Sequence, residues 1–390
     1  MSKILKIAVY SGQIPSTTFV ERLVLGLSEQ GHHLYLFGVK NKHLNYPNRI
    51  SVLGYKNSRL CKSIYLLKYW LLLSLFKSND KKRLDRILKN RKDNKLYTRV
   101  KCYPVLWHRP DIFHVQWAKG LADWIWVQDF GMQLVLSLRG AHINYSPITN
   151  TKLATIYREL FPQVDSFHAV SKEIAKEAIK YGASFPKIRV VYSGLPLNEW
   201  PYQEKKALNH SLKILSVGRS HWIKGYDYAL DTMKVLDDQG FNYHYTIIGV
   251  ENNEELLFQR YRLNLENRVS FCSKKDYEEI VTAIQAADVL LLPSLKEGLP
   301  NVVLEAMALG TLVVSTLCGG VSEVITHCES GYLVPVRDIP ALAETIKLVK
   351  DLSISDYHDI TRQARIVIEQ NHENTHMVSG MVKLYRKKED

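Results

Sequence analysis

The chain has 390 residues, 46% of them hydrophobic and 23% charged, with five cysteines and a net charge of +13. This length suits two domains of ordinary size, and this composition excludes a disordered, collagenous or disulfide-framed chain. No apolar run is long enough to cross a bilayer as a helix. Cys61, Cys102, Cys272, Cys318 and Cys328 have no C-x-x-C and no metal-like spacing, which reads as free thiols in a reducing compartment. The N-terminal MSKILKIAVYSG is too short for a signal peptide and grades into a strand, so the expected location is cytoplasmic.

Taken in order, Ile4 to Tyr10 reads as a strand and Ser11-Gly12-Gln13 as a loop. A helix follows from Thr17 to Gln30, stopped by Gly31, and His33 to Val39 is the next strand. Strand, loop, helix and strand in this order open a doubly wound parallel sheet. Gly12 either lets a backbone approach a ligand closely or serves a tight turn.

Residues 56–101 break the pattern. Fifteen Lys and Arg stand there against three Asp, a local +12, so nearly the whole charge excess lies in one segment. Ile64 to Phe76 is strongly apolar, interrupted by Lys68 and Ser74, and the basic helical stretch KKRLDRILKNRKDNK follows. Apolar and aromatic residues beside dense positive charge suit a helix lying on an anionic membrane surface. The alternative is an internal helix with a solvated basic neighbour. No nucleic-acid motif accompanies the charge.

Strands resume at Asp111 to Trp117, Gln133 to Leu138, Ser166 to Val170 and Ile188 to Tyr192, with helices near 121–130, 150–162 and 171–181. Gly194 to Ser211 has two prolines and no periodicity, which marks a linker. A second strand–helix alternation follows. Its strands are Lys213 to Val217, Tyr243 to Gly249, 268–272, Val289 to Leu292, Leu312 to Ser315 and Tyr332 to Val334. Helices are expected at Tyr226 to Gln239, 253–265, 276–286, Val302 to Leu309 and 321–327, and finally near Thr375 to Lys387. Asp237-Asp238 falls near a helix end and reads as solvated; no D-x-D marks a metal site in a loop.

The most informative stretch is DVLLLPSLKEGLPNVVLEAMALG, Asp288 to Gly310. A buried strand leads through a loop carrying Glu297 and Gly298 to a helix begun by Pro300 and stopped by Gly310. The amides of such a helix start suit phosphate, but the carboxylates of Glu297 and Glu305 suit hydroxyl donors such as those of a sugar. From the residues alone, Glu305 facing solvent and Glu297 complementing the helix dipole is an equal reading.

Glu297 and Glu305, eight apart in E-G-L-P-N-V-V-L-E, resemble the E-x7-E signature of the retaining GT-B glycosyltransferases of group 1 (family 4). Gly218-Arg219 and Lys224-Gly225 resemble the family's G-R-x4-K-G loop. Gly319-Gly320-Val321-Ser322-Glu323-Val324-Ile325 with Gly331-Tyr332-Leu333-Val334 resembles its G-G-x-x-E-x-I and N-G-x-L-V segments, and Pro15 to Val20 its N-terminal P-x-x-x-T-F-[IV] segment.

The resemblance implies an α/β GT-B fold of two Rossmann-like doubly wound domains facing across a central cleft. Residues 1–195 would form an acceptor-side domain on which a C-terminal helix, 375–390, packs back, and residues 196–374 the nucleotide-sugar domain. Arg219 and Lys224 would neutralise the donor diphosphate without a metal or other cofactor. Glu297 would hold donor-sugar hydroxyls, with the amides of Gly298, Leu299 and Asn301 near the sugar or diphosphate. Glu305 would bind the ribose, and the base would stack near Ser270 to Ser273. Gly218 and Gly12 complete the donor-binding set.

One departure stands out. Where the family carries H-G after the strand Gln133 to Leu138, this chain has Arg139-Gly140-Ala141-His142. Arg139 would replace an imidazole with a permanent cation, and His142 either supplies the imidazole or is an ordinary loop histidine. His114 and His168 lie in apolar strands and read as structural. The expectation is a transferase acting on a glycan or lipid-linked acceptor in cell-surface polysaccharide synthesis, peripheral on the inner face of the membrane. The alternatives are a sugar-nucleotide epimerase or phosphorylase of the same fold, and a non-catalytic nucleotide-sugar or anionic-lipid binding protein.

Overall fold

The computed structural model describes residues 3–42, 44–91 and 95–386. Among these residues the first sheet consists of β1 (Lys6–Ile14), β2 (His33–Lys40), β3 (Ile50–Tyr55), β4 (Ile112–Val115), β5 (Gln133–Leu138), β6 (Ser166–Ala169) and β7 (Ile188–Val190). The second consists of β8 (Leu212–Val217), β9 (Tyr243–Ile248), β10 (Val269–Cys272), β11 (Val289–Leu292), β12 (Leu312–Thr316) and β13 (Tyr332–Val334). Their orders are β3-β2-β1-β4-β5-β6-β7 and β10-β9-β8-β11-β12-β13. Every strand pairing is parallel. Each order reverses once, between β1 and β4 and between β8 and β11. Ligands of such sheets sit beyond the carboxyl ends of the strands at that reversal.

The chain divides into two compact units. One comprises Met1–Val170, Ile174–Gly194 and Asn374–Asp390; the other comprises Ser171–Glu173 and Leu195–Glu373. In the first, α1 (Thr18–Glu29) and the helix Asn374–Tyr385 cover one face of the sheet. Leu23, Val24 and Leu27 meet Met377, Val378 and Met381 over Ile7, Val9 and Val135. The other face carries α2 (Arg59–Phe76), α3 (Ser78–Asn90) and α4 (Leu96–His108). Tyr69, Leu73, Leu84 and Leu106 join Phe37, Phe113 and Leu136 in that core. In the second unit the core gathers Ile214, Tyr245, Leu291 and Val314 with Leu230, Met233 and Ile346. The strands IFHV and VLLL are buried at every residue, the pattern of parallel strands covered on both faces.

Several expectations need correction. Ser11-Gly12-Gln13 is not a loop: β1 continues to Ile14 with a register shift between Val9 and Gly12, held by pairing with β2. Residues 319–323 form a 3-10 turn rather than the start of a helix over 321–327. β3 and α4 are elements that the sequence pattern does not announce; α4 contains Pro104, which blurs its period. The basic stretch resolves into α3, with residues 92–94 outside the described residues. The last helix ends at Tyr385, and the expected tail at 387–390 lies outside them as well. Asp237 and Asp238 stay at the surface, as expected, in ion pairs with Arg268 and Lys234.

α2 is apolar on two sides. Tyr69 and Leu73 enter the core, while Leu60, Ile64, Leu67, Leu71 and Leu75 stay exposed. Their spacing of three and four residues makes one stripe along the helix. Among the described residues no helix is long and apolar enough to cross a membrane.

Candidate functional site

In the second unit the loops after β8 and β11 meet at the sheet's reversal. The first passes through Gly218, Arg219 and His221 into the 3-10 turn Trp222–Lys224. Gly225 follows with φ +63°, and a Cβ there would run into the Pro293 carbonyl, so the turn is pressed onto the loop after β11. The Leu295 amide donates to the Ile223 carbonyl at 2.7 Å. Lys224 Nζ thereby reaches Glu297 Oε1 at 2.7 Å, and Ser294 Oγ donates to the same oxygen at 2.9 Å.

The segment after β12 closes the third side. The Gly320 amide donates to the Gly298 carbonyl at 3.0 Å. Gly319, at φ +58°, could carry no Cβ without striking the Glu297 carbonyl. Three segments separated in sequence thus fix one loop, and their glycines are required by close backbone approach. The ion pair is only 17% and 15% exposed, so removing either partner strands a half-buried charge. Cys318 lies behind it; burial and then the Glu297 charge push its thiol up to about 12, which keeps it neutral.

Beyond Glu297, Gly298 and Leu299 are buried, and Asn301 opens the helix Asn301–Leu309. Pro300 at its N-cap supplies no side-chain cap. Glu305 is half-buried on the same helix. Arg219 is exposed on the β8 loop. Burial first, then the charges of Arg219 and Lys224, hold His221 below its ordinary range. Its Nδ1 accepts from the Ile223 amide at 3.3 Å. A cavity of about 320 Å³ lies beyond β8, β9 and β10, lined by Ser220, Gly249, Glu251, Asn253, Ser273 and Lys274.

In the first unit Gly12 lines a cavity of about 610 Å³ with Tyr10, Gln13, Asn41, Tyr55 and Trp117. Trp117 Nε1 donates to the Ser11 carbonyl at 3.2 Å, and the His142 ring lies 5.6 Å from the Trp117 ring. Arg139 follows β5. Its guanidinium lies 4.3 Å from the Phe19 ring centre and donates to Gln116 Oε1 at 3.1 Å. Its Nε is buried without a hydrogen-bond partner. Among the described residues no carboxylate pairs with it. Burial pulls the guanidinium down to about 9, where it is still charged at neutral pH.

Glu297 and Lys224 are therefore in direct contact, and Gly218 packs on the Lys224 stem. Gly12, Arg139 and His142 belong to the other unit. Ser294 and His221 carry no signal in the sequence beyond their position next to the motifs, and Gln116 and Trp117 lie next to none. Among the described residues no group of three His, Cys, Asp or Glu is arranged to hold a metal ion.

Residues 16–199 match the model for Glycosyltransferase Family 4, and residues 198–367 that for Glycosyl transferases group 1. The chain is 32% identical over 224 residues to the colanic acid biosynthesis glycosyltransferase WcaL of Escherichia coli, covering 55% of each chain. It is 36% identical over 194 residues to the amylovoran biosynthesis glycosyltransferase AmsK of Erwinia amylovora, covering 48% of each. It thus spans about half the length of the curated relatives it matches. Among solved structures, sucrose-phosphate synthase from Thermosynechococcus elongatus superposes with a TM-score of 0.73 at 18% identity over 98% of both chains. Anabaena HepE in complex with UDP and glucose superposes with a TM-score of 0.70 at 16% identity, over 97% of this chain and 98% of that one. At these identities the likeness is one of fold.

Proposed function

Because the chain belongs to the group 1, family 4 glycosyltransferases and has their two-sheet GT-B fold, we propose that it is a retaining glycosyltransferase of cell-surface polysaccharide synthesis. It would move a sugar from a nucleotide diphosphate sugar to a glycan or lipid-linked acceptor. The observation that carries this is the Lys224–Glu297 pair, held at the reversal of the second sheet by Gly225 and Gly319.

A departing diphosphate needs fixed positive charge, and an oxocarbenium-like sugar needs its hydroxyls held. Lys224 and Arg219 serve the phosphates without a metal. Arg219 brings a planar fork of donors and Lys224 a point charge. Glu297 accepts from sugar hydroxyls, with Gly298, Leu299 and Asn301 bordering the sugar, and Glu305 accepts from the ribose. The base enters the cavity beside Ser273 and Lys274. The HepE complex with UDP makes uracil the first base to try. In the first unit Arg139 offers its charge to an anionic oxygen of a substrate. The new glycosidic bond forms on the face the phosphate leaves, and a phosphate oxygen takes the acceptor proton.

The acceptor class follows from α2. Burying a Leu or Ile side chain contributes about 1.5–3 kcal/mol, which the exposed stripe forgoes in water. Lys56, Arg59, Lys68, Lys82, Arg83, Arg86 and Lys89 are exposed on or near α2 and α3, and each cation near an anionic leaflet adds about 1 kcal/mol. This supports a peripheral protein on the inner face of the cell membrane, working on a lipid-linked acceptor.

The test is nucleoside-diphosphate release from a panel of nucleotide sugars, with the product's anomeric configuration read by NMR. Wild-type turnover that is lost in folded Glu297→Ala supports the reading. A panel with no consumed sugar, or an inverted product, overturns it.

A further inference from the structure

Arg139 is half-buried and charged, and among the described residues no carboxylate pairs with it, yet it is held. A continuous chain of buried polar groups lies behind it on the sheet face that carries the helix Asn374–Tyr385. The two-residue period of the strands places His114 and Gln116, and Ser137 and Arg139, on that same face. Gln116, His114, Ser137 and His168 are all buried.

The protons of this chain are fixed from both ends. Arg139 is only a donor, so Gln116 must turn Oε1 to it and its amide nitrogen to His114 Nδ1, 3.1 Å away. His114 Nδ1 is then an acceptor, and the Tyr385 hydroxyl donates to it at 2.8 Å. His114 therefore carries its proton on Nε2 and donates to Ser137 Oγ at 2.8 Å. Ser137 donates in turn to His168 Nδ1 at 2.8 Å, and His168 Nε2 donates to the Val191 carbonyl at 2.9 Å. Starting from that carbonyl, which only accepts, gives the same order. A second proton on His114 would set donor against donor at the Gln116 amide, and burial first, with the Arg139 charge adding to it, lowers both imidazoles.

We propose that Gln116, backed by His114 and Tyr385, is a positioning residue that aims Arg139 while leaving its charge unspent for an anionic oxygen of the substrate. A carboxylate at position 116 would neutralise the guanidinium and would set an oxygen against the His114 Nδ1 lone pair. A neutral amide orients without quenching, and the proton order behind it keeps that amide from flipping. Tyr385 ties the relay to the last helix, 271 residues on from His114. The inference rests on the role given to Arg139 in the proposed transferase.

Two experiments on the full chain decide it. In long-range nitrogen–proton spectra of the histidine rings, His114 and His168 should both be neutral with the proton on Nε2 from pH 5 to 8. A proton on Nδ1, or titration of either ring in that range, overturns the relay. The second reads nucleoside-diphosphate release with whichever UDP- or GDP-sugar the wild type consumes fastest. Arg139→Ala and Gln116→Glu should each lower kcat about 100-fold, the scale of losing one preorganised donor. Gln116→Met should add no loss in the Arg139→Ala background. Multiplying losses, or full turnover in Gln116→Glu, reduce Gln116 to a structural role and overturn the proposal. Full turnover in Arg139→Ala removes its premise. A wild type that consumes no sugar removes the transferase reading instead, while the ring spectra still decide the proton order.

Discussion

Two cations in this chain are held in opposite ways. Lys224 is locked to Glu297 at 2.7 Å, and the pair is closed in by backbone from three segments. Arg139 is held by a neutral amide and an aromatic face, with no counter-charge among the described residues. The first arrangement compensates its charge within the protein and gains rigidity. The second leaves a desolvated positive charge for something to answer, at a cost to the resting protein. A compensated pair must be broken or shared when an anion binds, whereas an uncompensated cation is ready for one.

The contrast is broken most directly at the compensated pair. Lys224→Ala strands Glu297 and should cost about 3–5 kcal/mol of stability, read as a fall in the urea midpoint. Adding Glu297→Gln should restore most of that stability and none of the turnover. If Lys224→Ala leaves the midpoint unchanged, the pair is not closed from water as described.

Arg139→Ala should behave in the reverse sense. Turnover should fall about 100-fold, about 2.7 kcal/mol of transition-state stabilisation, while the urea midpoint stays level or rises, because a desolvated unpaired charge is removed. A large drop in stability would mean that Arg139 is compensated after all.

Acid should weaken the unit that holds Arg139. His168 is pulled down to about 3 by burial, then by the Arg139 charge, and His114 is lowered by burial, then by His168 and Arg139. In the unfolded chain both take protons near pH 6.5, so stability is intact above that value and declines as pH falls toward the folded values. The slope is at most about 1.4 kcal/mol per pH unit for each ring. Urea midpoints at pH 7 and pH 5 measure it, and His168→Asn should flatten the slope.

The smallest effect on stability is expected on α2. Leu67→Ser and Leu71→Ser alter exposed side chains and should change stability by no more than about 0.5 kcal/mol. Together they should still lower binding to vesicles containing anionic lipid several-fold in a flotation assay. Undiminished flotation would detach the apolar stripe from any membrane role.

The motifs around Lys224 and Glu297 were legible because each is a run of adjacent residues whose types state their chemistry. Glu297 and Lys224 announce an acid and a cation, and the glycines beside them announce close backbone approach. The strands Gln133–Leu138, Val289–Leu292 and Tyr332–Val334 were equally plain, since short apolar runs between turn residues leave little choice of boundary. β3 and α4 were not legible, because ISVLGY is brief and Pro104 interrupts LYTRVKCYPVLWH. Gln116 and Tyr385 gave no signal at all. Their meaning depends on partners that only strand register and a returning helix bring within reach.

The sequence by itself determined two parallel α/β units, the family, the residue types around Glu297 and the lopsided charge of residues 56–101. These are properties of composition and local period, which act over a few residues. Only the tertiary structure decided that Lys224 answers Glu297 directly, that α2 keeps an apolar stripe outside its core, and that Arg139 is aimed by groups without charge. Hydrogen bonds and desolvation depend on what surrounds an atom in space, and the chain order of those surroundings does not disclose it.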